Sequence, residues 1–415
     1  MLRFLTAGES HGKGLTVIIE GIPAGVRLDE DYIAKDLARR QVGYGRGGRM
    51  KIETDRAEIL SGVRHGYTMG GPISLWIVNR DYSTGKGPDG KPWTEVMSTN
   101  PTETTFDTIQ HLRPGHADTP GITKYMHDDA RNILERSSAR ESTARVAAGA
   151  IAKRFLEEFD IDIHGHVTNI GGVFANPRYP INWKDLEKPP YSSENPKGSK
   201  MASVRCADED AAEKMIASID AARDEGDSLG GIIEIIATGV PIGIGDYIQW
   251  DQKLTSKIAA ATMSINAVKG VELGIGFQQA NMRGSKVHDV IKPLSEWKAS
   301  QNKGWEQPFP RITNNSGGFE GGMSTGEPII VRAVVKPIAT IIDGLPTVNL
   351  ATGEFVDKAH FERSDITFVP TCSIIGESML ALTLGECMLE KFGGDNIKET
   401  HRNYINYMKS IMPNK

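Results

Sequence analysis

The glycines of this chain gather in clusters beside Arg, His and Ser, and that placement constrains the fold more than any other feature. Forty-five glycines among 415 residues exceed ordinary usage, yet they form no internal repeat. Glycine permits tight turns and close backbone approach to a ligand. The clusters therefore predict loops shaped around a bound molecule on a globular scaffold. The rest of the composition agrees: 39% apolar residues supply a large core, and a formal net charge of −5 offers no basic stripe for nucleic acid.

Cys206, Cys372 and Cys387 have neither paired nor metal-like spacing. A sparse, odd set points to a reducing compartment and away from a disulfide scaffold or zinc site. The first eight residues reach a Gly-Glu-Ser-His motif before any signal-like apolar stretch develops, and no run approaches the ~20 apolar residues that span a bilayer. A cytoplasmic protein without membrane or nucleic-acid partners is expected.

Strands are predicted over 15–20, 72–78, 229–237 and 329–335 from β-branched content and flanking turns. Asp29 reads as the N-cap of a helix with Ile33, Leu37 and Ala38 on its apolar face, ending at Arg39-Arg40 before Gly43. Further helices are predicted over 141–159, 208–224, 254–268 and 373–392. The elements do not alternate regularly, which favours α+β over a doubly wound sheet. No composition break marks a linker, so residues 1–392 read as one domain. The Pro-, Lys- and Ser-rich stretch 176–200 reads as an exposed insertion, and 393–415 as a polar surface extension.

Four segments combine residues suited to anionic chemistry. Gly8-Glu-Ser-His11-Gly12 places an imidazole between glycines, where it can face a ligand or simply solvent. Residues 39–49 carry Arg39, Arg40, Arg46 and Arg49, which would repel one another without an anion between them; guanidinium forks bind phosphate and carboxylate. A lone RGG-like RNA segment or a solvated loop are the alternatives. His111-Leu-Arg113-Pro-Gly-His116-Ala-Asp118 offers a general acid oriented by a carboxylate, and Pro114-Gly115 breaks any helical metal pair. Glu135-Arg136-Ser137-Ser138-Ala-Arg140 opens a helix, where hydroxyls and free N–H groups cap the helix or bind an anion. A Gly-rich loop at 314–326, Lys336 with Thr340, and Arg363-Ser364-Asp365 follow. No Walker A, strand-linked GxGxxG or G-x-S-x-G elbow is present.

Taken in order, these motifs resemble the chorismate synthase family over roughly residues 1–392. The match also includes Asn266-Ala-Val-Lys269-Gly and Gly317-Gly-x-x-Gly321-Gly322-x-Ser-x-Gly. The resemblance implies a β-α-β sandwich, helices layered between antiparallel sheets, in a homotetramer. It implies anti-1,4-elimination of phosphate from 5-enolpyruvylshikimate 3-phosphate, dependent on reduced FMN, with NADPH as a reductant in some members. By that likeness Arg40, Arg46, Arg49, Arg113, Arg140 and Arg363 would bind substrate, and His11, His116 and Asp365 would move protons. Arg136, Ser137, Ser138, Asn266, Ala267, Gly322, Lys336, Thr340 and Ser364 would contact the flavin. Ile366-Thr-Phe follows Arg-Ser-Asp in place of the family's commoner pair. A non-catalytic flavin- or phosphate-binding protein is the alternative, against which both histidines and Asp365 argue.

Overall fold

A computed structural model describes residues 2–46, 54–87, 90–101, 106–297, 308–362 and 365–411. The first sheet contains β1 (Arg3–Ala7), β2 (Gly14–Glu20), β3 (Ala57–Ser61) and β4 (Ile73–Val78), in the order β1-β2-β4-β3. The second contains β5 (Asp162–Ile170), β6 (Val173–Phe174), β7 (Gly231–Thr238), β8 (Val268–Leu273) and β9 (Ile329–Val335), in the order β8-β9-β7-β5-β6. Every pairing within both sheets is antiparallel. The main helices are α1 (Glu30–Gln41), α2 (Arg131–Ser137), α3 (Ser142–Glu157), α4 (Glu209–Asp224), α5 (Leu254–Met263), α6 (Val369–Phe392) and α7 (Ile397–Ser410), besides the helix Asp118–Tyr125 and shorter turns. α3 packs on β2 and on α6, while α6 packs on β5 and β7. The sheets thus sandwich a helical layer, the α+β arrangement expected.

Local chemistry explains most boundaries. Asp29 caps α1 by accepting from the Tyr32 N–H, and Asp208 caps α4 by accepting from Ala211. In β2 and β4, Leu15, Val17, Ile19, Ile73, Leu75 and Ile77 alternate inward and are essentially fully buried. The helix expected over 254–268 stops at Met263. Ser264 to Ala267 form a turn, with Ala267 at φ 69°, and Val268 enters the sheet opposite Val335. Strand pairing overrides the helical propensity there. α6 begins four residues before the expected start because Pro370 fits the first helical turn, where a missing N–H costs nothing.

Three segments dock more closely than their composition alone suggests. α6 contains no uninterrupted run of ~20 apolar residues, as expected; by length and composition it could cross a membrane, but nearly all of it is buried within the protein, as a central core helix is. The stretch 176–200 is mostly exposed or half-buried, as expected, and a few docked residues make it a partial cover. Trp183 stacks on His164 with centroids 4.7 Å apart, Leu186 is buried, and the Tyr179 hydroxyl bonds Glu234. This cover lies over a charged ladder across three strands, His166–Glu234 at 3.0 Å and Arg332–Glu234 at 2.7 Å. The tail forms α7, whose Tyr404 and Met408 are buried, with Tyr404 edge-on to Phe159 and Phe392.

The helical layer is held by close approach and by buried charge. A Cβ added at Gly149 would lie 2.2 Å from the Ser378 Cβ and 2.6 Å from its Cα. Alanine normally favours a helix by ~1 kcal/mol over glycine, but here the clash is with backbone and cannot be relieved by a rotamer. Gly149→Ala should therefore destabilise the protein by about 1–3 kcal/mol, read as a lower denaturant midpoint; a raised midpoint would contradict the packing. Nearby, the fully buried Glu377 accepts from both terminal nitrogens of Arg39 at 2.7 and 2.8 Å, from Lys153, and from the Gly165 N–H at 2.7 Å. Asp36 bridges the same two cations at 2.7 and 2.8 Å. This cluster pins the last turn of α1, and Arg40 follows directly after Arg39.

Candidate active site

Loops from both sheets and the helical layer meet around a cavity of about 1080 Å³. Its walls come from the β1–β2 loop, the end of α1, the α2–α3 turn, the turn before β8 and the segments after β9 and before α6. Among the described residues, eight Arg and Lys side chains line it against four carboxylates. The chain is acidic overall, so this positive interior arises from placement.

Arg40, Arg46 and Arg140 form the charged floor. The Arg40 guanidinium donates to Ser142 Oγ at 3.0 and 3.2 Å and to the Ala139 carbonyl at 3.0 Å. Arg140 donates to Asn79 Oδ1 at 2.9 Å and pairs with Asp55 at 2.5 Å. Asp55 also lies 3.6 Å from Arg40. Burial pushes the Arg40 guanidinium down to about 9; Asp55 resists, while the charges of Arg46 and Arg140 push the same way. Arg40 still carries charge at neutral pH, and a bound anion would relieve this crowding of positive charge. Arg46 pairs with Asp365 at 3.0 Å and bonds Thr371. The loop reaches this position through Gly45 at φ 83°, where a Cβ would sit 2.8 Å from Ile219.

The two histidines are each held by a carboxylate. His116 lies in the Pro114-Gly115 turn, with Gly115 at φ 75°, and its Nδ1 is 2.6 Å from Asp118 Oδ1. Asp118 accepts two more bonds at 2.9 Å from the Arg113 guanidinium. Burial would raise the Asp118 carboxyl, but the hydrogen bonds of His116 and Arg113 and their charges hold it well below the usual range. It is therefore an anion that can only accept, so the 2.6 Å contact calls for a hydrogen on His116 Nδ1, with Arg113 Nη2 2.9 Å from the same nitrogen, and leaves Nε2 as the exchanging nitrogen. Arg113 also donates to Thr340 at 3.2 Å, and Lys336 donates to the Gly115 carbonyl at 2.6 Å. Burial and the neighbouring Lys269 lower the Lys336 amine.

Across the cavity, His11 Nδ1 is 3.0 Å from Glu135 and its ring stacks on Trp93, centroids 3.9 Å apart. Arg131 pairs with Glu135 at 3.1 Å and with Glu362 at 3.3 Å. Burial alone would raise the Glu362 carboxyl; the His360 hydrogen bond and the charges of Arg131, His11 and His360 outweigh it and bring it to about 2. Glu135, Trp93, Arg131, Glu362 and Asp55 were not singled out from the sequence, although Glu135 begins a recognised motif.

The expected flavin contacts largely converge. Ser137, Ser138, Asn266, Ala267, Lys336 and Thr340 all line the cavity. Ser138 caps the following turn by accepting from the Arg140 N–H at 3.3 Å, and Asn266 donates to the Ser137 carbonyl at 3.1 Å. Arg136 also lines it, anchored to the Gly8 and Thr6 carbonyls at 3.0 and 2.9 Å. Gly322 does not line it. It sits at φ 92° in the turn between Phe319–Glu320 and Met323–Ser324, where its carbonyl receives the first N–H of α5 at 2.8 Å. That turn also holds the start of α5. Arg49, Arg363 and Ser364 lie outside the described residues. Among the described residues no group of three or more His, Cys, Asp or Glu side chains is placed to hold a metal ion.

Convergent guanidiniums and two carboxylate-held imidazoles around one deep cavity define an enzyme for a small, multiply anionic substrate. Comparison with known proteins makes this specific. Residues 2–389 match the family described as chorismate synthase. The chain is 48% identical over 412 residues to the chorismate synthase of Geobacter sulfurreducens, covering 99% of each. It is 47% identical over 413 residues to chorismate synthase 2 of Bacillus cereus, covering 98% of this chain and 99% of that one. A crystal structure of a chorismate synthase superposes with a TM-score of 0.72 at 39% identity, covering 99% of this chain and 98% of the other. The chain belongs to the chorismate synthase family.

Proposed function

We propose that this enzyme eliminates phosphate from C3 and a proton from C6 of 5-enolpyruvylshikimate 3-phosphate, giving chorismate, with reduced FMN as obligatory cofactor. The observation that carries the reading is the pair of carboxylate-held histidines lining one cavity with Arg40, Arg46 and Arg140. The residues present suit a flavin. Hydroxyl, amide and ammonium groups from Thr340, Asn266 and Lys336 surround part of the cavity, and its volume exceeds the ~300–1,000 Å³ of ordinary small-ligand sites. That leaves room for substrate and cofactor together.

Ser137, Ser138, Asn266, Ala267, Lys336 and Thr340 would hold the FMN. When bound, reduced FMN supplies electron density that assists the departure of phosphate, with no net redox change. Arg40, Arg46 and Arg140 neutralise the phosphate and carboxylates, with Arg113 as helper. His116 donates its Nε2 proton to the departing phosphate. His11 offers a protonated imidazole beside the cofactor, and Asp365, paired with Arg46, assists removal of the C6 proton. A homotetramer in the cytoplasm accompanies this reading, and light scattering on the purified protein tests the assembly.

Anaerobic turnover tests the reaction: chorismate should form with reduced FMN and fail to form with oxidised FMN alone. Adding NADPH to the oxidised mixture asks whether the protein reduces its own flavin. FMN binding without product under reducing conditions would favour a non-catalytic flavin binder.

A further inference from the structure

Glu135 is a buried carboxylate for which the proposed reaction assigns no step. Its side chain is 2% exposed, at the last turn of α2, and it grips the β1–β2 loop at several points. The Ser10 N–H donates to its carbonyl at 2.9 Å, and the His11 N–H donates to Oε2 at 2.8 Å. His11 Nδ1 lies 3.0 Å from Oε1 and 3.2 Å from Oε2. One residue thus fixes both the backbone and the ring of a histidine 124 positions away. Trp93 fixes the ring plane from its face. Arg131 pairs with both Glu135 and Glu362, at 3.1 and 3.3 Å, and supplies a counter-charge to the two carboxylates.

We propose that Glu135 is the positioning residue for His11: it retains a hydrogen on Nδ1, so that His11 exchanges protons with bound ligand through Nε2. A carboxylate can only accept, so both the backbone N–H and the ring Nδ1–H must donate to it. The arrangement parallels Asp118 and His116 across the cavity, so both histidines work through the same nitrogen. The placement of His11 is independent of the reaction; only the activity arm of the test below rests on the proposed lyase function.

The full-length protein, labelled with 15N in its histidine rings, reports the tautomer directly by NMR at a pH where His11 is neutral. The His11 signals are identified by their loss in His11→Asn. Wild type should show hydrogen on Nδ1 and a bare Nε2. In Glu135→Gln the amide nitrogen can donate to Nδ1, and the population should move toward the Nε2–H form. Turnover should then fall by roughly 10- to 100-fold, the loss seen when the carboxylate orienting a metal-ligating histidine is removed, while KM for substrate stays nearly unchanged. Glu135→Asp should recover part of the loss. An Nε2–H tautomer in wild type, or an unchanged tautomer in Glu135→Gln, overturns the proposal. If Glu135→Gln does not fold, the wild-type tautomer alone decides. A tautomer shift in a protein that never forms chorismate would support the positioning role and reject the lyase reading.

Discussion

Replacing His116 with alanine should lower turnover by roughly 100- to 10,000-fold, the usual contribution of a positioned general acid, while the protein remains folded. The side chain is 20% exposed at the cavity wall and contributes nothing to the core. Asp118 keeps its two bonds from Arg113 and its bond from the Arg113 N–H when the imidazole is removed, so no buried carboxylate is orphaned. The arginine floor is also untouched, so phosphate affinity should change little. Stopped-flow turnover together with a thermal melt separates the two effects. A variant that keeps the wild-type rate would remove His116 from the mechanism. The same assay applies to His11, whose alanine variant should also be crippled in turnover.

Glu377→Ala should destabilise the fold by about 3–5 kcal/mol, the cost of leaving buried charges without their partner. Arg39 and Lys153 would both lose a carboxylate, and the Gly165 N–H would lose its acceptor. Asp36 alone would remain between the two cations. The pH dependence has a definite sign. Burial raises the Glu377 carboxyl, but the charges of Arg39 and Lys153 outweigh it and hold the folded group far below its ordinary value. A depressed folded value means the contribution is complete above the unfolded value of ~4.3 and is lost as pH falls below it. Denaturant titrations between neutral pH and pH 3 should therefore show wild type losing more stability on acidification than the variant. Equal slopes would place the stabilising charge elsewhere. Because Glu377 anchors Arg39, the variant should also weaken the neighbouring Arg40 site.

Sequence reading recovered the elements whose local chemistry is self-contained. Asp29 and Asp208 are caps visible in the sequence, and the alternation of Ile73, Leu75 and Ile77 marks β4 without help from the fold. β5 was missed because His164, Gly165, His166 and Asn169 look unlike a buried strand. They become one only when Trp183 covers the outer face and α6 fills the inner face against Gly165. The stretch 176–200 is largely exposed, and its Pro, Lys and Ser content hides the few residues that dock. α7 carries its apolar residues at a four-residue spacing in an otherwise polar tail, a weak signal until Phe159 and Phe392 are seen beneath it.

The candidate site divides in the same way. Arg40, Arg46, Arg113, His116 and Arg140 were legible because they sit in compact Gly-rich motifs. Their partners Asp55 and Asn79 were not, nor were the contacts of Glu135 with His11 and of Glu362 with Arg131, because these meet only after the chain has folded. The likeness to relatives placed Gly322 among flavin contacts; in the structure its carbonyl accepts the first N–H of α5.

The central claim is a flavin-dependent elimination at the arginine floor, and one anaerobic single-turnover experiment reaches it. Purified protein, chemically reduced FMN and 5-enolpyruvylshikimate 3-phosphate are mixed, and chorismate absorbance and free phosphate are followed together. The account predicts equal amounts of both products at the same rate, none with oxidised flavin alone, and the flavin still reduced at the end. Phosphate without chorismate, products independent of flavin, or net flavin oxidation matched to product would contradict it.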